Sequence, residues 1–137
     1  DSSKDKFKIV AQQDGGAALD KSMELAEDII TATPDLDAFF CINDPSALGA
    51  AAAIKAANKT GKIGVYSIDA SPDGKQALLD GEFTAVACQV PVQIAEYSFN
   101  EAVKYVNGDT KIDEKKVYLD SHLVLKDEAE KTLKEWQ

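Results

Sequence analysis

The chain reads as an α/β protein, a parallel-sheet three-layer sandwich, and three observations predict it. Short β-rich runs alternate with helical ones along nearly all of its 137 residues. Most of those β-rich runs are continuously apolar, the pattern of parallel strands covered on both faces. Three successive helical runs open on a proline and stop at a glycine.

The elements follow in order. Residues 7–12 ("FKIVAQ") form the first strand candidate. A helix over 17–32 sets Leu19, Met23, Ala26 and Ile30 at helical spacing, one buried stripe. The strand over 38–43 ("AFFCIN") leads into a helix over 45–58, alanine-rich and so able to lie close against a sheet. Strands over 63–69 ("IGVYSID") and 84–89 ("TAVACQ") precede helices over 72–80 and 91–107, the latter with Ile94, Phe99, Ala102 and Val106 along one face. Pro45, Pro72 and Pro91 open their helices where a missing N–H costs nothing. Gly61, Gly81 and Gly108 follow the C-termini, where a left-handed residue is needed. This repeated grammar predicts a right-handed βαβ succession. The tail departs from it: "KKVYLDSHLVLK" reads as one longer, half-exposed strand. "DEAEKTLKEW" reads as a short helix docked through Ala129, Leu133 and Trp136.

Composition narrows the chemistry. Hydrophobic residues at 45% and charged ones at 28% are ordinary for one globular domain or a piece of a larger one. A formal charge of −9 argues against nucleic acid or an anionic membrane surface as partner, because both need basic patches. The opening "DSSKDKFKIV" has neither an initiator Met nor a signal peptide, as expected of a processed product or a fragment. Cys41 and Cys88 each lie in an apolar run, and no close Cys or His pair suggests a metal site. They read as free, buried, packing thiols. His122 reads as a strand residue, so no Cys–His catalytic arrangement is expected, and neither is a cofactor. "NGDTKIDEKK" lacks the glycine and closing glutamate of a calcium loop and reads as a solvated turn.

The candidate site lies at the carboxyl ends of the strands, where Asn43, Asp69 and Gln89 stand one βα unit apart. Ligands of open parallel sheets bind in the crevice beyond those ends. Neighbouring strands lie about 4.8 Å apart, so three span about 10 Å, the reach of one small polyhydroxylated molecule. A carboxylate accepts from two hydroxyls, and amides both donate and accept. Each residue also has a structural reading. Asn43 or Asp44 can cap a helix. Asp69 can do the same, though Ser71 is better placed, and Gln89 can satisfy a turn. Capping alone does not require three polar groups at one end of one sheet. "QDGGAAL" (13–19) puts glycines before a helix N-terminus, a weak phosphate signal without the full glycine fingerprint or a P-loop lysine. Those glycines more simply turn the chain near the pocket.

The stretches "TATPDLDAFFCINDPSALGAAAAIKAA" and "VYSIDASPDGKQALLDGEFTAVACQVPVQIA" together resemble the C-terminal half of bacterial periplasmic sugar-binding proteins of the ribose-binding type. The resemblance runs from about residue 7 to about residue 125. It implies one lobe of a two-lobed fold that closes over one sugar and delivers it to a membrane ABC permease. By that resemblance Asn43, Asp69 and Gln89 are ligand-binding positions, and Gly16 and Ala17 form a pocket loop in which Ala17 stands where the family often has a stacking aromatic ring. It further implies a pentose, hexose or related polyol as ligand, and an extracytoplasmic place, in the periplasm or as a cell-surface lipoprotein. The chain would be the C-terminal lobe (1–137), with about 91–119 belonging to an N-terminal lobe missing here. The alternative is the effector-binding domain of a lactose-repressor-type regulator, which shares the fold. An enzyme using Asp69 as base lacks a partner nucleophile, metal cluster or cofactor loop in the sequence.

Overall fold

The computed structural model describes residues 6–109 and 117–136. Among these, strands β1 (Ala38–Phe40), β2 (Gly64–Asp69), β3 (Ala85–Cys88) and β4 (Leu123–Val124) form one sheet in that order. β1 pairs parallel with β2 and β2 with β3, whereas β4 runs antiparallel to β3. The helices are α1 (Leu19–Ala32), α2 (Asp44–Ala56), α3 (Pro72–Leu79), α4 (Pro91–Val106) and α5 (Lys126–Lys131). The α/β class and the strand–helix alternation through residue 106 stand as the sequence predicts.

The punctuation works by the chemistry expected of it. Asn43 caps α2, its Oδ1 accepting from Ser46 N at 3.1 Å. Ser71 caps α3 by accepting from Gly74 N at 3.1 Å, so the cap falls to Ser71 and Asp69 is left free of it. Asp44 and then Pro45 supply the first turn of α2, so that proline sits one place inside the helix rather than at its start. Gly61, Gly81 and Gly108 take positive φ of 75°, 77° and 96°.

One face of the sheet carries the core. Val65, Ser67, Val86, Cys88 and Val124 are buried there, with α2 against β1 and β2 and α3 against β3. The alanines Ala47, Ala50, Ala51 and Ala53 of α2 are all buried, as their small size predicts. α1 packs on α2 with its backbone close to Gly49, where an added Cβ would run into Leu19 O and Met23 N. Lys75 of α3 is fully buried, yet its ammonium is satisfied: Nζ donates to Thr132 O at 2.9 Å and Glu135 O at 2.7 Å. That pair of bonds ties α3 to the end of α5.

Several expectations are corrected. Residues 7–12 form no strand, and Phe7, Ile9 and Val10 are exposed. Among the described residues no strand pairs with the outer edge of the three-residue β1, and a strand without a ladder leaves its polar backbone to water. The sheet is covered on one face only among the described residues: Phe40, Ile42, Tyr66, Leu123 and Leu125 are exposed on the side opposite the core. Among the described residues of the long tail strand, only Leu123–Val124 are strand, paired with Ala87 and Val86, and His122 O also accepts from Cys88 N at 2.9 Å. Of the tail helix, Ala129 is buried and Leu133 half-buried, but Trp136 is exposed rather than docked. Leu19 likewise lies largely outside the α1 stripe, which buries Ala26 and Ile30. Most of the "NGDTKIDEKK" turn lies outside the described residues.

The α1–α2 contact yields a direct expectation. Gly49→Val forces two helix backbones apart, so it should lower unfolding free energy by about 1–3 kcal/mol or more in urea titrations, the usual penalty for overpacking. An unchanged midpoint contradicts the close approach.

Candidate functional site

The C-terminal ends of β1, β2 and β3 lie side by side, and one buried carboxylate holds two of them. Asp44, at the start of α2, is 1% exposed. Its Oδ1 accepts from Ser67 Oγ at 2.6 Å, and its Oδ2 accepts from Ser71 N at 2.8 Å and Ser71 Oγ at 2.7 Å. A burial this complete is tolerable only because the charge is hydrogen-bonded throughout. Gly74, in the first turn of α3, lies so close that a side chain there would collide with this carboxylate. The β1–α2 and β2–α3 junctions are thereby locked together.

Asp69 stands on that lock. Its φ of 129° and the φ of 58° at Ala70 place two non-glycine residues in the left-handed half of conformational space, a strained turn of the kind that gathers at functional sites. Asp69 Oδ2 accepts from Asp44 N at 3.3 Å and Oδ1 accepts from Gln89 Nε2 at 2.6 Å. Gln89 N in turn donates to Asp69 O at 3.1 Å. Burial pushes the Asp69 carboxyl above the usual range and the Asp44 charge adds to that, while the hydrogen bonds from Asp44 N and Gln89 pull the other way.

Asn43 fills the capping role weighed for it and also makes a contact that the sequence did not suggest. Besides capping α2, it turns Nδ2 to Ala17 O at 3.2 Å and so holds the loop before α1. That loop is tight: Gly16 and Ala17 take φ of 62° and 55°, and Gly16 N donates to Asp14 Oδ1 at 2.8 Å. Ala17 is therefore a backbone anchor with an exposed methyl group. All five residues singled out in the sequence meet along one polar crest, from Ala17 through Asn43 to Asp69 and Gln89.

Chemically the crest suits hydroxyl groups. Asp69 keeps further accepting capacity on both oxygens, and Gln89 is exposed with Oε1 making no hydrogen bond among the described residues. Nothing in it is cationic. No group of three or more His, Cys, Asp or Glu among the described residues is placed to hold a metal ion.

Sequence reasoning missed two things. It weighed Asp44 only as a cap, whereas Asp44 is the brace beneath the site. The signal available was "SPDG", whose Ser71 and Gly74 supply the donors and the room. It also placed His122 as a strand residue without a partner in view, and the structure supplies one. Cys88 Sγ lies 3.2 Å from His122 Nδ1, and His122 Nε2 lies 2.8 Å from Glu128 Oε1. The antiparallel β3–β4 pair joins residues 34 positions apart, a pairing that spacing along the chain does not encode.

Polar groups gathered beyond the ends of parallel strands lie where open α/β sheets commonly take their ligands. Residues 2–110 match the family model described as the periplasmic binding protein domain, and the chain belongs to that family. It is 35% identical over 104 residues to the ribose import binding protein of Escherichia coli, covering 76% of this chain and 35% of that protein. It is 33% identical over 88 residues to the D-allose-binding periplasmic protein of the same organism, covering 64% of this chain and 28% of that one. Among solved structures, a galactofuranose binding protein superposes with a TM-score of 0.87 at 32% identity, over 96% of this chain and 46% of that one. The D-allose-bound solute binding protein of an ABC transporter from Actinobacillus succinogenes superposes with a TM-score of 0.83 at 26% identity, over 90% and 43%. This chain spans about a third of the length of the curated relatives it matches first.

Two expectations follow from the geometry. Asp44→Ala leaves Ser67 Oγ and the Ser71 N–H without their acceptor, and should lower unfolding free energy by about 2–4 kcal/mol in denaturant titrations. For Asp69 the raised carboxyl sets the sign. The folded state holds that proton above the ordinary aspartate range near ~4, so this group costs stability at neutral pH and the cost fades as pH falls. The wild type should therefore gain stability relative to Asp69→Asn between pH 7 and about pH 4, as read by denaturant titrations at each pH; a difference independent of pH contradicts it.

Proposed function

We propose that this chain is the C-terminal sugar-binding lobe of the solute-binding component of an ABC-type importer, holding one monosaccharide or related polyol without covalent chemistry. The observation that carries the reading is the Asp69 carboxylate, fixed by Asp44 N and Gln89 Nε2 at the end of β2 and flanked by Asn43 on the next strand end. A preorganised carboxylate between two amides accepts from sugar hydroxyls while the amides donate and accept around it. The names of the relatives agree with this ligand class: ribose and D-allose for the curated proteins, galactofuranose and D-allose for the solved ones. Those names also support an extracytoplasmic location and a membrane permease as partner.

The lobe is one side of a cleft. In α4 no residue is buried, although Ile94, Tyr97, Phe99 and Val103 are large and apolar. The outer sheet face with Phe40, Ile42 and Tyr66 is equally bare. We assign α4, and the stretch to about residue 119, to the N-terminal lobe, with hinge closure excluding water from the sugar.

Calorimetric titration of the two-lobed protein with pentoses, hexoses and inositols tests the function. Asp69→Ala should weaken the best ligand by about 100-fold, the worth of a charge-assisted pair of hydrogen bonds. Unchanged affinity in that variant places the ligand elsewhere. The 137-residue chain alone should bind the same sugar far more weakly than the two-lobed protein, and equal affinity contradicts the shared cleft.

A further inference from the structure

The Cys88–His122–Glu128 row borders the sugar crest, with Cys88 in register with Asp69, but has no part in the function proposed above. Cys88 faces the core side of β3, where its sulfur meets the imidazole of His122 at 3.2 Å. His122 Nε2 lies 2.8 Å from Glu128 Oε1 on α5. A carboxylate only accepts, so the proton on this side of the ring belongs to Nε2. In the neutral imidazole Nδ1 is then the bare nitrogen, turned to the thiol. Nucleophile, base and orienting carboxylate stand in sequence, the arrangement that activates a thiol.

We propose that Cys88 is a thiol modification site, activated by His122 as base with Glu128 as its positioning residue, that exchanges with small neutral disulfides. The Sγ proton passes to His122 Nδ1 as Sγ attacks one sulfur of the reagent. A new S–S bond forms, the reagent's own S–S bond breaks, and the departing thiolate takes the proton from His122. The products are a mixed disulfide at Cys88 and one free thiol, with no other oxidant needed.

Access fits a gated site. Cys88 is 1% exposed, but the His122 side chain against it is 53% exposed, so the sulfur lies one side chain beneath the surface. The cover consists of a two-residue edge strand and a six-residue helix, the kind of element that opens at low free energy. Charged neighbours come from each packed element: Lys75 from α3, Asp69 in register from β2, and Glu128 from α5. Cys41 is the internal control. It is buried, burial pushes its thiol up to about 11, and the chain's one histidine is already engaged with Cys88.

The test uses 4,4′-dithiodipyridine on the full chain and on Cys41→Ser, with release followed by absorbance and the modified peptide identified by mass. At pH 6.5 Cys88 should react at least about tenfold faster than Cys41, and its rate should rise less steeply with pH, because His122 rather than hydroxide takes its proton. His122→Asn should slow Cys88 about tenfold at pH 6.5 and make the ratio independent of pH, and Glu128→Gln should fall between. The sign separates base from cover, because removing a mere cover would speed the reaction. Parallel pH profiles for the two cysteines in the wild type, or an equal or faster rate in His122→Asn, would overturn the proposal.

Discussion

The Asp44 carboxylate is the constraint on which the site depends. Its three hydrogen bonds from Ser67 and Ser71 join the β1–α2 and β2–α3 junctions. With those junctions fixed, Asp44 N is aimed at Asp69, and Asp69 can hold its φ of 129° against the strain. A buried charge is a poor source of net stability, since desolvation offsets much of the attraction. Its value here is geometric: one carboxylate sets the position of another. The close passage of Gly74 belongs to the same device, because only a residue without a side chain leaves room for the brace.

Much of this was legible in the sequence, and the limits have physical causes. Pro45, Pro72 and Pro91 with Gly81 and Gly108 marked helix ends to within a residue or two, because backbone chemistry there is local, whereas after α2 the first left-handed residue is Asn58, ahead of Gly61. Asn43, Asp69 and Gln89 could be placed together because parallel neighbours one βα unit apart put their strand ends side by side. What could not be read was any contact made through tertiary closure. The bonds from Lys75 to Thr132 and Glu135 and from Cys88 to His122 link residues dozens of positions apart, with no periodicity to announce them. The strand candidates at 7–12 and in the tail failed for a related reason. An apolar run becomes a strand only where a neighbour offers a ladder, and pattern alone does not supply the neighbour.

The bare surfaces connect fold to function. A continuously apolar strand run predicts cover on both sides, yet Phe40 and Tyr66 face solvent, and so does the whole of α4. Apolar area of that extent is costly to leave wet. On the reading proposed above, that area is the surface the N-terminal lobe would cover. The family match and the partial coverage of the relatives named above support that reading.

The most direct test of the central claim is a crystal structure of the two-lobed protein with its best monosaccharide bound. The account predicts the Asp69 carboxylate within about 2.8 Å of sugar hydroxyls, with Asn43 and Gln89 completing the same ring of contacts. A sugar seated away from the ends of β1, β2 and β3, with Asp69 bonded only to Asp44 N and Gln89, would contradict it.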